Sequence, residues 1–171
     1  GTMRMILPGI HKLPVQKHCP DLKIGDSSIP QVKFAEISRL VISKKLRRRK
    51  NDCQYYEPTV SDEDRQMSEQ EYFRRSKPMA FGLYRELYRE SKAIGVTHWY
   101  TLMEQSLWLL LRLHGFSFTN IGPEVDVYGP VKPYLGKLEI MEEEVKKKFP
   151  KFFDYFAEDI ESVLMIKKPN Q

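Results

Sequence analysis

The stretch V-K-F-A-E-I-S-R-L-V-I-S-K-K-L-R-R-R-K, residues 32–50, decides how the rest of this chain is interpreted. Its first part, over about residues 32–43, is rich in the aliphatic and β-branched residues that favour strands. Alternate residues from Val32 to Ile42 share one face, and those from Lys33 to Ser43 share the other. Because both faces are largely apolar, the pattern predicts a central strand that is covered on both sides.

Two ionisable side chains, Glu36 and Arg39, interrupt this apolar strand. Burying a charge is costly unless it is paired or used, so the strand is the candidate active centre. One interpretation is a structural ion pair, or polar side chains at a strand end. In the other, Glu36 orients or deprotonates an incoming amine while Arg39 or Arg4 holds a carboxylate. Regular pleating places Glu36 and Arg39 on opposite faces, so one shared site requires a β-bulge between them.

A cluster of cations follows the strand directly, in the run K-K-L-R-R-R-K at 44–50. The whole chain has a net charge of +5, which favours an anionic partner. At the carboxyl end of a strand, such a run is suited to a phosphate group or to an acidic protein. Nucleic acid is the alternative, but aromatic residues are not interleaved with the run as a stacking platform requires.

Length and composition are typical of one soluble globular domain spanning residues 1–171. The two cysteines are too few for a disulfide framework, which favours a reducing cytoplasm. The four histidines are not spaced as metal ligands, so we expect no metal site. The longest apolar run, 107–111, is too short for a transmembrane segment. No glycine-rich phosphate loop is present, which disfavours dinucleotide and nucleoside triphosphate chemistry.

Hydrophobic periodicity predicts strands and helices in alternation, an α/β sandwich. Residues 44–77 are polar and charged, which predicts a long loop or insertion, and C-terminal helices are expected over 142–171. The predicted strands are 2–7, 32–43, 97–103, 116–121, 124–128 and 131–140, where 116–121 and 124–128 are either two strands or one bent strand broken at Gly122-Pro123. The predicted helices are 15–18, 78–94, 106–114, a charged helix from 142 and a last one after Pro150.

Five segments in a fixed order point to a family. They are G-T-M-R-M-I-L-P at 1–8, A-E-I-S-R-L-V-I-S at 35–43, I-G-V-T-H-W-Y-T-L-M-E at 94–104, L-L-L-R-L-H-G-F-S-F-T-N-I-G-P at 109–123 and Y-G-P-V-K-P-Y at 128–134. Over roughly residues 1–145 the chain resembles the autoinducer-synthase-like branch of the GNAT acyltransferases. Within it, the chain is most similar to bacterial N-acyl amino acid synthases associated with PEP-CTERM/exosortase systems. E-I-S-R at 36–39 is also similar to the E-L-S-R motif of LuxI-type homoserine lactone synthases.

The resemblance implies a GNAT fold, a mixed sheet that is splayed open so that a phosphopantetheine arm lies between two strands. It implies transfer of a long-chain acyl group from an acidic acyl carrier protein, or from coenzyme A, to the amine of an amino acid. Glu36 would accept the proton, and the substrate would be bound by Arg4, Ser38 and Arg39. The phosphopantetheine thioester is expected to contact Val41, Ile42, Ser43, Arg47, Arg48 and Arg49.

Two departures from the family leave the amine substrate open. The first strands and helices of the family fold have no counterpart before residue 1, so the sequence is expected to begin in the middle of a fold. Ala35 also stands where LuxI-type enzymes commonly carry a tryptophan. The alternatives are a non-catalytic module that binds acyl groups or the carrier protein, and an acyl-homoserine-lactone-type autoinducer synthase.

Overall fold

A computed structural model describes residues 1–22, 33–43 and 79–157. Its strands are β1 (Thr2–Ile6), β2 (Phe34–Val41), β3 (His98–Met103), β4 (Thr119–Asn120), β5 (Val125–Asp126) and β6 (Pro130–Lys137). Its helices are α1 (Pro14–His18), α2 (Met79–Ile94), α3 (Gln105–Leu113), α4 (Leu138–Lys148) and α5 (Pro150–Ala157). The predicted α/β class is therefore confirmed. Among the described helices, none is long and apolar enough to cross a lipid bilayer.

The described strands form one six-stranded sheet in the order β1–β2–β3–β6–β4, with β5 beside β6. The pair β2–β3 is parallel, and the other four pairs are antiparallel. A parallel pair needs a long crossover connection, and α2 lies in the connection between β2 and β3. Because β2 lies between β1 and β3, the prediction that it is a central strand is confirmed.

The larger hydrophobic core lies on one face of the sheet. Ala35 and Ile37 of β2 and Trp99 of β3 pack there against apolar residues of helices α2 to α5. Trp99 donates its indole N–H to Ser91 Oγ at 2.9 Å, and Ser91 donates its hydroxyl to the Leu87 carbonyl at 2.7 Å. These two hydrogen bonds give the buried indole N–H of Trp99 an acceptor and the buried Ser91 hydroxyl both a donor and an acceptor.

A smaller cluster lies on the opposite face of β2 and β3, beneath α1. It consists of Leu13, Val15, Phe34 and Tyr100, with the Phe34 and Tyr100 rings edge to face at 5.4 Å between centroids. Phe34 thus faces α1, whereas its neighbour Ala35 faces the larger core. Both faces of β2 are covered, as the sequence predicts.

β2 contains a β-bulge at Arg39. Arg4 pairs with Ser38, but Thr2 pairs with Val41, so two steps along β1 match three along β2. Arg39 adopts the left-handed conformation with φ of 56°. A side chain in this region of backbone space is strained, and bulges commonly contain such a residue.

The bulge reverses the alternation of side chains in the last part of β2. Leu40 packs against the larger core, on the face of Ala35 and Ile37. The expectation that Leu40 shares a face with Glu36 is therefore wrong. The sequence pattern assumes a strict period of two residues, and one extra residue in the strand shifts every later side chain to the other face.

The ladder between the two parallel strands ends before the strands themselves do. It begins at the pair Phe34↔His98 and ends at Ile37↔Thr101, although β2 continues to Val41 and β3 to Met103. We call the region where the two strands are no longer paired, residues 38–41 of β2 and 102–103 of β3, the wedge. Helix α3 begins immediately after β3, so its amino end lies at the same edge of the sheet.

The predicted strand over 131–140 is wrong at its end, because Leu138 begins α4. Leu138, Met141 and Val145 are buried at helical spacing, and this burial is possible only if the chain turns into a helix. The strands predicted at 116–121 and 124–128 shrink to two residues each. The segment 44–77 and the chain after Ala157 lie outside the described residues.

The bulge predicts an unusual preference for glycine at position 39. Arg39→Gly should raise the free energy of unfolding by about 1 kcal/mol relative to Arg39→Ala, because glycine adopts a positive φ without strain. Urea denaturation measures this difference. At Val41, which has no positive φ, the glycine variant should be less stable than the alanine variant. Equal effects at the two positions would contradict the left-handed bulge.

Candidate functional site

Four polar or aromatic side chains share one face of the sheet. Arg4 lies opposite Ser38 across the antiparallel pair, and Tyr100 lies opposite Glu36 across the parallel pair. Residues directly opposite each other share a face, as do alternate residues of one strand before the bulge. We call the surface formed by Arg4, Glu36, Ser38 and Tyr100 the Glu36 face.

Glu36 is buried, with only 2% of its surface exposed. Its Oε2 accepts a hydrogen bond from the backbone N–H of Val15 at 2.9 Å. Val15 lies in the first turn of α1, where backbone N–H groups have no acceptor within the helix. The carboxylate therefore fastens α1 to the sheet, which gives Glu36 a structural role.

Burial raises the pKa of the Glu36 carboxyl above its ordinary value. The Val15 N–H and the positive charge of Arg4 act in the opposite direction, but burial has the larger effect. A carboxylate with a raised pKa holds a proton more tightly, so it is better suited to accept one from a substrate.

Arg4 and Ser38 are in direct contact. Arg4 donates its Nε–H to Ser38 Oγ at 3.0 Å, which orients the exposed guanidinium beside the half-buried hydroxyl. The structure thus brings together two of the residues that were predicted to bind substrate. An oriented guanidinium on the surface can bind a carboxylate through paired hydrogen bonds.

Arg39 is exposed and lies at the bulge itself. The bulge that a shared site requires is present, but the arginine whose charge affects the pKa of Glu36 is Arg4. Among ion pairs between residues that the structure describes, none joins Glu36 to Arg39. The ion-pair interpretation of these two residues is therefore wrong, and the structural partner of Glu36 is a backbone N–H.

Three residues predicted to contact the phosphopantetheine lie at the end of β2 and directly after it. Val41 ends β2 and is 53% exposed, Ile42 is half-buried and Ser43 is exposed. Their positions suit contact with a ligand that enters between β2 and β3. The predicted contacts Arg47, Arg48 and Arg49 lie outside the described residues.

A cavity of about 330 Å³ opens beside Tyr100, and we call it the Tyr100 cavity. The chain just after α1, the turn between β4 and β5, and the strands β3 and β6 all contribute to its lining. Sequence reasoning missed this cavity because its walls come from separate segments, none of which has a motif of its own. The lining residues are His18, Cys19, Pro20, Asp21, Leu22, Tyr100, Ile121, Gly122, Pro123, Val125 and Leu135.

Cys19 in the cavity wall does not have the properties of a nucleophile. It is a buried free cysteine, and burial raises the pKa of its thiol. The thiolate is the reactive form, so a raised pKa reduces reactivity. Within the described ranges no group of three or more His, Cys, Asp or Glu side chains could hold a metal ion.

A comparison with protein-family models and one with curated proteins found no match for this chain.

Glu36→Gln should change how stability depends on pH. The folded protein binds a proton at Glu36 more tightly than the unfolded chain does, because the carboxyl pKa is near 4.5 in the unfolded chain and higher in the folded protein. The stabilising contribution of Glu36 is thus fully present below that pH and is lost as pH rises through the raised folded pKa. Glutamine keeps an oxygen for the Val15 N–H and does not titrate, so the variant should gain stability relative to wild type as pH rises.

Urea denaturation between about pH 4 and pH 8 measures this relative gain. Glu86→Gln, at an exposed glutamate of α2, controls for the loss of one negative charge. A wild type that becomes more stable relative to Glu36→Gln as pH rises would show that folding favours the ionised carboxylate instead.

Proposed function

We propose that this protein is a GNAT-type N-acyltransferase that moves a long-chain acyl group from a phosphopantetheine thioester to the amine of an amino acid. The thioester would be carried by acyl carrier protein or by coenzyme A. The observation that carries the proposal is the wedge, where the ladder of the only parallel pair of described strands ends at Ile37, the residue after Glu36. In the GNAT fold that the sequence resembles, a phosphopantetheine arm lies between two strands that are splayed open.

The wedge is suited to an extended arm with amide groups. Beyond Ile37 the backbone of β2 no longer takes part in the ladder with β3. Its N–H and C=O groups can pair with the amides of the arm, as a strand would. One strand N–H would donate to the thioester oxygen and stabilise the negative charge that develops there.

Glu36 is the proposed proton acceptor. The amine nitrogen attacks the thioester carbonyl carbon, the new C–N bond forms, and the C–S bond breaks. Glu36 accepts the proton that the amine loses, directly or through one water, and the departing sulfur leaves as a thiol after it takes up a proton. No acyl-enzyme is formed, because the Ser38 hydroxyl is held by Arg4 and no described hydrogen bond gives it a histidine.

Arg4 is the proposed ligand of the amino acid carboxylate. Its guanidinium is exposed and already oriented by Ser38 on the face that Glu36 occupies. Arg39 lies one residue beyond Ser38 and is exposed at the bulge, so it can add a second positive charge near the same carboxylate. The basic run at 44–50 continues from the wedge edge of β2 and would receive an acidic carrier protein.

A non-catalytic binding module is the second candidate. The observation that favours it is the burial of Glu36 beneath α1 and its bond to Val15, which explain the carboxylate without any substrate. In that case the wedge would hold an acyl-phosphopantetheine group without any transfer.

Mass spectrometry after incubation with palmitoyl-carrier protein and a mixture of amino acids separates the two candidates. An enzyme should form an N-acyl amino acid, and Glu36→Gln should reduce the rate by at least about 100-fold while the fold remains intact. Glu86→Gln should retain the rate of the wild type. Binding of the acyl-carrier protein by both proteins without any product would support the binding module. A covalent acyl-protein on the reaction path would contradict direct transfer.

A further inference from the structure

We propose that the Tyr100 cavity receives the side chain of the acceptor amino acid, and that it selects for apolar side chains. This inference rests on the proposed function and names the class of amine that it uses. On this proposal, the residues that line the cavity determine which amino acid is used as acceptor.

Three groups of the proposed site follow one another across the sheet. Arg4 lies on β1, Glu36 on β2 and Tyr100 on β3, all on the same face. Neighbouring strands are about 4.8 Å apart and Arg4 is offset by two residues along the sheet, so the backbones of Arg4 and Tyr100 are roughly 12 Å apart, with Glu36 on the strand between them. An α-amino acid carries its carboxylate and its side chain on the carbon next to the amine. With the carboxylate at Arg4 and the amine near Glu36, the side chain extends toward Tyr100.

Much of the cavity wall is aliphatic. Leu22, Ile121, Val125 and Leu135 supply this surface, and Leu22, Ile121 and Leu135 also pack against the small cluster under α1. Tyr100 is buried, and its ring contacts Phe34 edge to face. An apolar side chain that enters the cavity is favoured because it removes apolar surface from water. A charged side chain would lose hydration against the aliphatic surface, and among the described lining residues only the exposed Asp21 and His18 carry a carboxylate or an imidazole.

Helix α1 contacts both parts of the proposed site. The first turn of α1 binds Glu36 through the Val15 N–H, and the residues that follow the helix, from His18 to Leu22, line the cavity. One short segment therefore covers the proposed base and forms a wall of the proposed side-chain pocket. The cavity volume of about 330 Å³ is at the lower end of the range for small-molecule sites.

Competition among amino acids tests the inference. Palmitoyl-carrier protein is offered with an equimolar mixture of glycine, alanine, leucine, phenylalanine, tyrosine, aspartate and lysine, and the products are quantified by mass spectrometry. Wild type should favour leucine or the aromatic residues over glycine, aspartate and lysine by 10-fold or more, because a hydrophobic pocket discriminates on that scale. Val125→Phe narrows the cavity. It should lower kcat/KM for the large apolar amino acids about 10-fold, whereas kcat/KM for alanine should change little.

Leu22→Ala is the opposite change, because it enlarges the cavity and should move the preference toward larger side chains. Ile140→Phe, at an exposed residue of α4 outside the cavity, is the matched control and should keep the wild-type profile. A product profile that is identical in wild type, Val125→Phe and Leu22→Ala overturns this inference and leaves the proposed function standing. A preference of the wild type for polar or charged amino acids also overturns this inference and leaves the proposed function standing.

The acyl chain is the other possible occupant, and varying its length distinguishes the two. Octanoyl- and palmitoyl-carrier protein are compared in wild type and in Val125→Phe with leucine as acceptor. If Val125→Phe changes the preferred acyl length but not the preferred amino acid, the cavity holds the acyl chain and the inference is wrong. No product from any amine with either donor overturns the proposed function, and this inference fails with it.

Discussion

The hydrogen bond from the Val15 N–H to the Glu36 carboxylate is the interaction on which the arrangement of this site depends. It joins a short helix to the middle of the sheet across 21 residues of sequence. Without α1, Glu36 would lie on an open face and its carboxylate would be hydrated. With α1 in place, burial raises the pKa of the carboxyl, and the same segment continues into the wall of the Tyr100 cavity.

The geometry beside this interaction follows from one extra residue. The bulge at Arg39 allows β2 to leave the β3 ladder after Ile37 while it stays paired with β1 up to Val41. Arg39 has a positive φ although it is not a glycine, and such strain occurs mainly where the surrounding structure requires a particular backbone path. Here that path begins where the ladder with β3 ends, close to the only buried carboxylate among the described residues.

Much of the fold could be predicted because its longest elements have strong periodicity. The stripe Phe81, Tyr84, Leu87 and Tyr88 predicted a helix over 78–94, and α2 spans Met79–Ile94. The face of Leu40 could not be predicted, since no glycine marks the bulge. The hydrogen-bond partner of Glu36 could not be predicted from the sequence either. It is a backbone N–H, which almost every residue type carries, so no particular residue marks it. The proposed substrate residues Arg4 and Ser38 were found separately, but their contact depends on strand register.

The structural and the catalytic interpretations of Glu36 describe one arrangement and do not exclude each other. A carboxylate has two oxygens, and the Val15 N–H uses Oε2, so proton transfer at the other oxygen does not by itself require α1 to move. Fastening the helix needs only an acceptor, and a glutamine would supply one without the cost of burying a charge. The cost of burying a carboxylate here therefore favours a use of its proton. Binding an acyl chain needs no base at this position, so the buried carboxylate suits the proposed enzyme better than a binding module.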